Sequence, residues 1–191
     1  FIATENIDRD EPFFWDSAAY FFHHTNVEEA DLPVVGARSW GSTPSQVCVE
    51  WIEAAKRIPQ SRRAEATEQL GQVLGVAMPD AAGATGLLSW DEIREMAGNG
   101  FDIGSHTLSH AILTELAPPE AHKELAGSRR RLEEELNLPV RTLAYPNGTT
   151  LDFNLQVEAL TRETGYSAAF TLVPGPARSP EVRSNPMAIR R

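Results

Sequence analysis

The chain has 191 residues, 41% of them apolar and 23% charged, which is enough for one globular core of ordinary composition. A formal charge of −10 argues against a phosphate backbone as partner, so no nucleic acid is expected, and no run approaches the roughly 18 apolar residues of a membrane span. Cys48 stands alone, which excludes an internal disulfide and a cysteine-rich zinc cluster.

The chain opens on "FIATENI", read as an apolar strand, and closes on "NPMAIRR", read as another. A strand at the first residue, Phe1 rather than Met, suggests a fragment of a longer domain. No basic, apolar leader is visible, and both cytoplasmic and extracytoplasmic settings stay open. Phe13, Phe14, Trp15, Tyr20, Phe21 and Phe22 form an aromatic segment expected to pack helices, or to border a sugar site. "DLPVVGARSWGSTPSQ" reads as loop from its Gly and Pro punctuation. Two helices are expected next, over "PSQVCVEWIEAAKRI" and "SRRAEATEQLGQVLGV", joined to the second half by a flexible "MPDAAGATG".

"SWDE", Ser89 to Glu92, has the spacing of a capping box, and Trp90, Ile93, Met96 and Ala97 repeat at helical spacing behind it. Gly98-Asn99-Gly100 should end that helix. "FDIGS" reads as a short strand with Phe101 and Ile103 on one side and Gly104 as a turn. A helix is expected from Pro118-Pro119 to Leu136 with Leu125, Leu132 and Leu136 buried and Asn137 closing it. Arg129-Arg130-Arg131 runs straight into Glu133-Glu134-Glu135, a solvated helix face rather than a basic patch. "VRTLAYP" and "YSAAFTLV" read as strands flanking the helix "DFNLQVEALTRETG", which Gly165 stops. Helix and strand alternating over short connections indicate a parallel α/β sheet or barrel.

The chemistry centres on "GSHTLSH", where His106 and His110 are four residues apart. That spacing suits two corners of a tetrahedral zinc site, and equally a polar loop with exposed imidazoles. Context strengthens the ligand reading and leaves both open: the pair follows a predicted strand in an α/β pattern, where such sites collect, and Thr107 and Ser109 can orient the rings. His23-His24 and His122 lack that context. Adjacent histidines in a strand would point to opposite faces, and His122 falls on a solvated helix face.

"LSWDEIREMAGNGFDIGSHTLSH", a helix, and then "LAYPNG" resemble the polysaccharide deacetylase family, the NodB-homology domains of carbohydrate esterase family four. His106-Thr107-Leu108-Ser109-His110 matches its H-[S/T]-x-x-H motif, and "YPNG" at 145–148 stands where its Pro-Tyr-Gly-type motif lies. "FIAT…IDRDEPFFWD" resembles the segment after the family's first motif. The resemblance implies a distorted (β/α) barrel of seven or eight strands, here incomplete, as a single domain over 1–191. It implies His106 and His110 as ligands of zinc or another divalent metal. It also implies Tyr145 and Asn147 as catalytic residues, the latter through its backbone N–H as oxyanion donor, and Tyr145 with Pro146 as substrate contacts. The implied reaction is removal of N-acetyl groups from an N-acetylated glycan by metal-activated water.

The departures are specific. The family's Asp-Asp pair, source of the base and third ligand, should precede Phe1; Asp8 and Asp10 do not align with it, and Asp102 reads as structural. The position of a base-pairing arginine falls at Ala144, and the usual tyrosine at Asn147. No histidine follows His122 to serve as the acid. A catalytically incomplete carbohydrate-binding domain of the same fold is therefore the alternative, and a purely structural α/β domain a third reading.

Overall fold

A computed structural model of the chain describes residues 1–79 and 86–191. They form two compact units, one made of Phe1–Arg9 and Leu88–Arg191, the other of Asp10–Leu87. Among them no helix is long and apolar enough to cross a membrane.

The opening segment is strand only around Ile2, which bridges Ser105; helix α1 (Thr4–Arg9) follows at once. The apolar start "FIA" hides this change, because the helix start is held by distant residues as well as by a local ion pair. Thr4 N and Glu5 N donate to the carbonyls of Thr107 and Leu108, and Arg9 pairs with Glu5 one turn back.

The second unit follows. Helix α2 (Phe14–His24) buries Ala18, Phe21 and Phe22, as the aromatic segment suggested. The stretch read as loop contains an antiparallel hairpin, β1 (Glu29–Leu32) and β2 (Gly36–Ser39). Its strands bury little beyond Leu32, so they lack the apolar alternation that marks a strand in sequence. Helices α3 (Pro44–Ala55) and α4 (Gln60–Leu74) fall where expected, α4 closing on Gly75 at φ 68°. Trp51 and Leu70, both fully buried, centre this core, and Trp51 Nε1 donates to Pro33 O at 2.8 Å. Cys48 is buried and free. Residues 80–85 of the connection "MPDAAGATG" lie outside the described residues.

The first unit resumes with α5 (Trp90–Gly98), whose capping box is formed: Glu92 N donates to Ser89 Oγ, and Ser89 N to Glu92 Oε2. The "FDIGS" segment carries a single bridge residue, Ser105, which pairs on both sides, and Phe101 is exposed because the pairing does not reach it. Gly104 serves close packing rather than a turn, because a Cβ there would sit 2.5 Å from the Phe1 ring. After a short 3₁₀ turn, α6 (Pro118–Leu136) buries Leu125 and Leu132 completely and ends at Asn137, φ 51°. Strand β3 (Thr142–Ala144), helix α7 (Leu155–Glu163), capped by Asn154, strand β4 (Ala168–Phe170) and short α8 (Ser179–Ser184) complete the chain.

Strands β3 and β4 pair in parallel, and single parallel bridges extend the row at both sides: Ile2 beside Ser105, Ser105 beside Leu143, Phe170 beside Ile189. The architecture is mixed α/β; among the described residues the row does not close into a barrel. Leu125, Leu132, Val140, Leu143, Tyr145, Tyr166 and Met187 form the core beneath it. Each large apolar side chain buried there contributes about 1.5–3 kcal/mol. The triple arginine is a helix face, with Arg129, Arg130 and Arg131 paired one turn on to Glu133, Glu134 and Glu135.

Candidate metal centre

Parallel strands leave their carboxyl ends on one side, where ligands usually bind. In this row those ends are followed by Ala3, His106, Tyr145, Thr171 and Arg190. Two loops matter: 106–110 after Ser105, and 145–148 after β3.

The first loop curls because Thr107 and His110 both take left-handed backbone, at φ 68° and 59°, although neither is glycine. The turn brings the His106 and His110 ring centroids to 4.6 Å, edge to face. His106 Nδ1 lies 2.7 Å from Ala144 O, so the Nδ1–H tautomer donates there and leaves Nε2 with its lone pair. Burial holds the His106 imidazole below the usual histidine range, against the Ala144 carbonyl, which favours the charged form. A neutral ring with one nitrogen anchored and the other open is the ligating form of histidine. The loop is costly: the Thr107 hydroxyl, like that of Thr4, is buried and meets no partner among the described residues.

The second loop is tighter. Gly148 N donates to Pro146 O at 2.7 Å around Asn147, whose φ is 56°, which makes a γ-turn. Gly148 itself has φ 63°, and a Cβ there would sit 2.8 Å from Leu172 N, so the position requires glycine. The Asn147 N–H meets no acceptor among the described residues, and the residue is half-buried.

The structure therefore joins the two loops through the His106–Ala144 hydrogen bond. It places the other expected residues differently. The Tyr145 side chain is 2% exposed; its hydroxyl donates to Met187 O at 2.9 Å and its ring stacks on Phe153 at 5.1 Å. Burial raises its pKa to about 12. Tyr145 thus supports the loop from the core, and Pro146 is buried beside it. His23 and His24, expected on opposite faces of a strand, close helix α2 instead, and His122 is exposed on α6. Asp8 is drawn into a different arrangement, accepting from Arg131 and from Trp90 Nε1.

Sequence reasoning missed Glu124. Its Oε2 accepts from the amides of Leu108 and Ser109, both at 3.0 Å, and its Oε1 from Ser109 Oγ at 2.8 Å. The signal available was helical spacing, since Gly127 and Ser128 follow at i+3 and i+4.

Among the described residues no three His, Cys, Asp or Glu side chains gather as a metal cluster. The donor chemistry of the two imidazoles nonetheless fits two positions around a divalent ion.

An α/β protein with a half-buried histidine pair at the ends of parallel strands is the class so defined. The polysaccharide deacetylase family model matches residues 44–169, and the chain belongs to that family. It is 30% identical over 90 residues to YxkH of Bacillus subtilis (strain 168), whose name places it among the polysaccharide deacetylases; the match covers 47% of this chain and 31% of YxkH. In fold it is similar to the Streptococcus pyogenes deacetylase PplD, solved in complex with acetate. That match has a TM-score of 0.51 and 24% identity, over 60% of this chain and 46% of PplD. It is similar also to the deacetylase domain of Bordetella bronchiseptica BpsB, with a TM-score of 0.50 and 18% identity, over 61% of this chain and 53% of that one. The chain thus spans about a third of the length of the curated relative it matches, and about half of each of these structures.

Proposed function

We propose that this chain carries part of the active site of a metal-dependent hydrolase that removes N-acetyl groups from an N-acetylated polysaccharide or oligosaccharide. Both units are read as parts of one deacetylase domain, built as an incomplete (β/α) barrel. The observation that carries the proposal is the His106–His110 pair, with ring centroids 4.6 Å apart and His106 anchored to Ala144 O at the end of β3.

His106, through Nε2, and His110 would hold a divalent ion, zinc being the ion suited to nitrogen ligands. When bound, that ion supplies Lewis acidity and lowers the pKa of water so that a nucleophile exists near neutral pH. The chain's own residues do the rest. The Ala144 carbonyl fixes the His106 tautomer. The γ-turn offers the Asn147 N–H to the acetamide oxygen as charge builds there, a contribution any residue but proline can make. Tyr145 and Pro146 hold that turn from below, so Tyr145 acts by positioning, and the exposed rim of 149–151 is left for glycan contact.

The test is acetate release from a chitooligosaccharide with and without added Zn²⁺. Metal-dependent release that is lost in His106→Ala supports the proposal. Glycan binding with no release under any metal would leave the chain a carbohydrate-binding domain.

A further inference from the structure

We infer that Glu124 is a positioning residue for the histidine pair, and that it acts by holding loop 106–110 in its left-handed shape. This rests on the reading of His106 and His110 as metal ligands.

The loop presents a physical problem. Left-handed backbone at Thr107 and His110 is strained for residues with a side chain and persists only when the surroundings impose it. Leu108 and Ser109, between those two residues, have amides that no strand or helix pairs. Helix α6 supplies what is lacking. Glu124 accepts both amides at 3.0 Å and the Ser109 hydroxyl at 2.8 Å, so one carboxylate serves three donors. One turn on, Gly127 has no side chain where Leu108 packs; a Cβ there would sit 2.7 Å from Leu108 Cδ1. Ser128 then meets Ser105 through a hydroxyl pair at 2.8 Å. Residues i, i+3 and i+4 of one helix face thus hold the chain on both sides of the first histidine, at Ser105 before it and at Leu108 and Ser109 after it. On the far side, Glu5 N donates to Leu108 O at 2.8 Å, closing the cradle.

Glu124 itself is not among the ligands. Its carboxylate is spent on two main-chain amides and the Ser109 hydroxyl, and its effect on His110 passes through the Ser109 peptide. Positional control of this kind is typically worth 10–100-fold in metal affinity.

The experiment measures Co²⁺ binding to the 191-residue chain by calorimetry and by visible absorption, alongside amide hydrogen exchange without metal. Glu124→Ala removes the acceptor, and Glu124→Leu removes it while keeping comparable bulk. Both should weaken Co²⁺ binding about 10–100-fold, and speed exchange of the Leu108 and Ser109 amides about tenfold or more, with the α6 core amides unchanged. Glu124→Gln, whose side-chain oxygen can still accept both amides while its NH₂ donates to the Ser109 hydroxyl, should stay closer to wild type. Ser109→Ala, losing one donor of three, should fall between wild type and Glu124→Leu. If wild type binds Co²⁺, His110→Ala loses it and Glu124→Leu binds like wild type, the positioning role is overturned and the ligand reading stands. If wild type and His110→Ala are alike in failing to bind, the ligand reading falls and this role with it. Unchanged exchange at Leu108 and Ser109 in Glu124→Leu overturns the role whatever the metal does.

Discussion

Two histidine pairs in this chain look alike by ring geometry and differ in everything else. His106 and His110 have centroids 4.6 Å apart at 86°, while His23 and His24 stand 4.8 Å apart at 80°. The second pair sits exposed at the last turn of α2, where His24 Nδ1 lies 2.9 Å from Tyr20 O and its ring stacks on Tyr20 at 4.0 Å. Its imidazoles are held by neighbours on their own helix, and both rings face solvent. In the first pair, His106 is anchored by a carbonyl 38 residues away and desolvated, on a backbone that is itself strained. Proximity of two rings is therefore cheap. Buried, neutral, externally anchored rings are what a ligand pair requires.

The sharpest way to break that contrast is to delete each pair in turn. His106→Ala or His110→Ala should weaken Zn²⁺ or Co²⁺ binding by more than about 100-fold, beyond the usual effect of a supporting residue. A His23→Ala/His24→Ala double variant should leave the affinity within about twofold, because exposed imidazoles give little preorganisation. Titration calorimetry on the three proteins decides it, and equal losses from both pairs would erase the distinction drawn here.

A second variant tests whether the site depends on the other loop as well as on its ligands. Gly148→Ala forces an L side chain into φ 63° and against Leu172 N at 2.8 Å. We expect a loss of about 2–3 kcal/mol in denaturant unfolding, from strain and backbone displacement together. Gly41→Ala at φ 49°, whose added Cβ would meet nothing within 4 Å, should lose only the strain, about 1 kcal/mol.

What was legible in the sequence follows from which forces act locally. The α5 capping box, the Asn137 stop and most of the α6 stripe were readable, with Leu125 and Leu132 fully buried and Leu136 only half-buried, because caps and helical periodicity are written in neighbouring residues. The histidine spacing was readable for the same reason. Hairpin β1–β2 was not, since Leu32 is the one buried residue of its eight and its strands carry no apolar alternation. The α1 helix was hidden because its first amides are satisfied by residues 107 and 108, about a hundred positions away. Tyr145 carries a sequence signal for the site loop, yet its hydroxyl is claimed by Met187, a partner no local pattern names. Glu124 looked like one more charge on a charged helix; its role exists only once the loop is folded against it.

Alkaline pH separates the core beneath the site from the rest. Burial raises the Tyr145 pKa to about 12 and pushes Tyr166 up as well. An unfolded tyrosine ionises near pH 10, so above that value the unfolded state sheds protons that the folded state retains. Stability is full below pH 10 and falls as pH rises toward 12, by on the order of 2 kcal/mol from Tyr145. Tyr145→Phe should be less stable near neutrality for want of the Met187 bond, and should show a shallower alkaline decline in unfolding free energy.

The smallest effect expected is at Asp8, and it is informative because it is small. Arg131 reaches Asp8 through Nε and Nη2, stacks over Trp90 at 4.7 Å and also pairs with Glu135, so α1 is tied to α5 and α6. Hydrogen bonding from Arg131 is the main reason the Asp8 carboxyl lies below its ordinary range. A depressed carboxyl contributes stability above its unfolded pKa and loses it as pH falls through the folded value, so the contribution should vanish in acid. The pair is partly exposed, and screening limits it to about 0.5–1 kcal/mol. Asp8→Asn should therefore lower stability slightly at pH 7, make no difference well below pH 3, and leave metal affinity within about twofold. Since α1 also touches loop 106–110 through Glu5 N, a large fall in metal affinity in Asp8→Asn would shift the control of the histidine pair from Glu124 to the α1 side of the cradle.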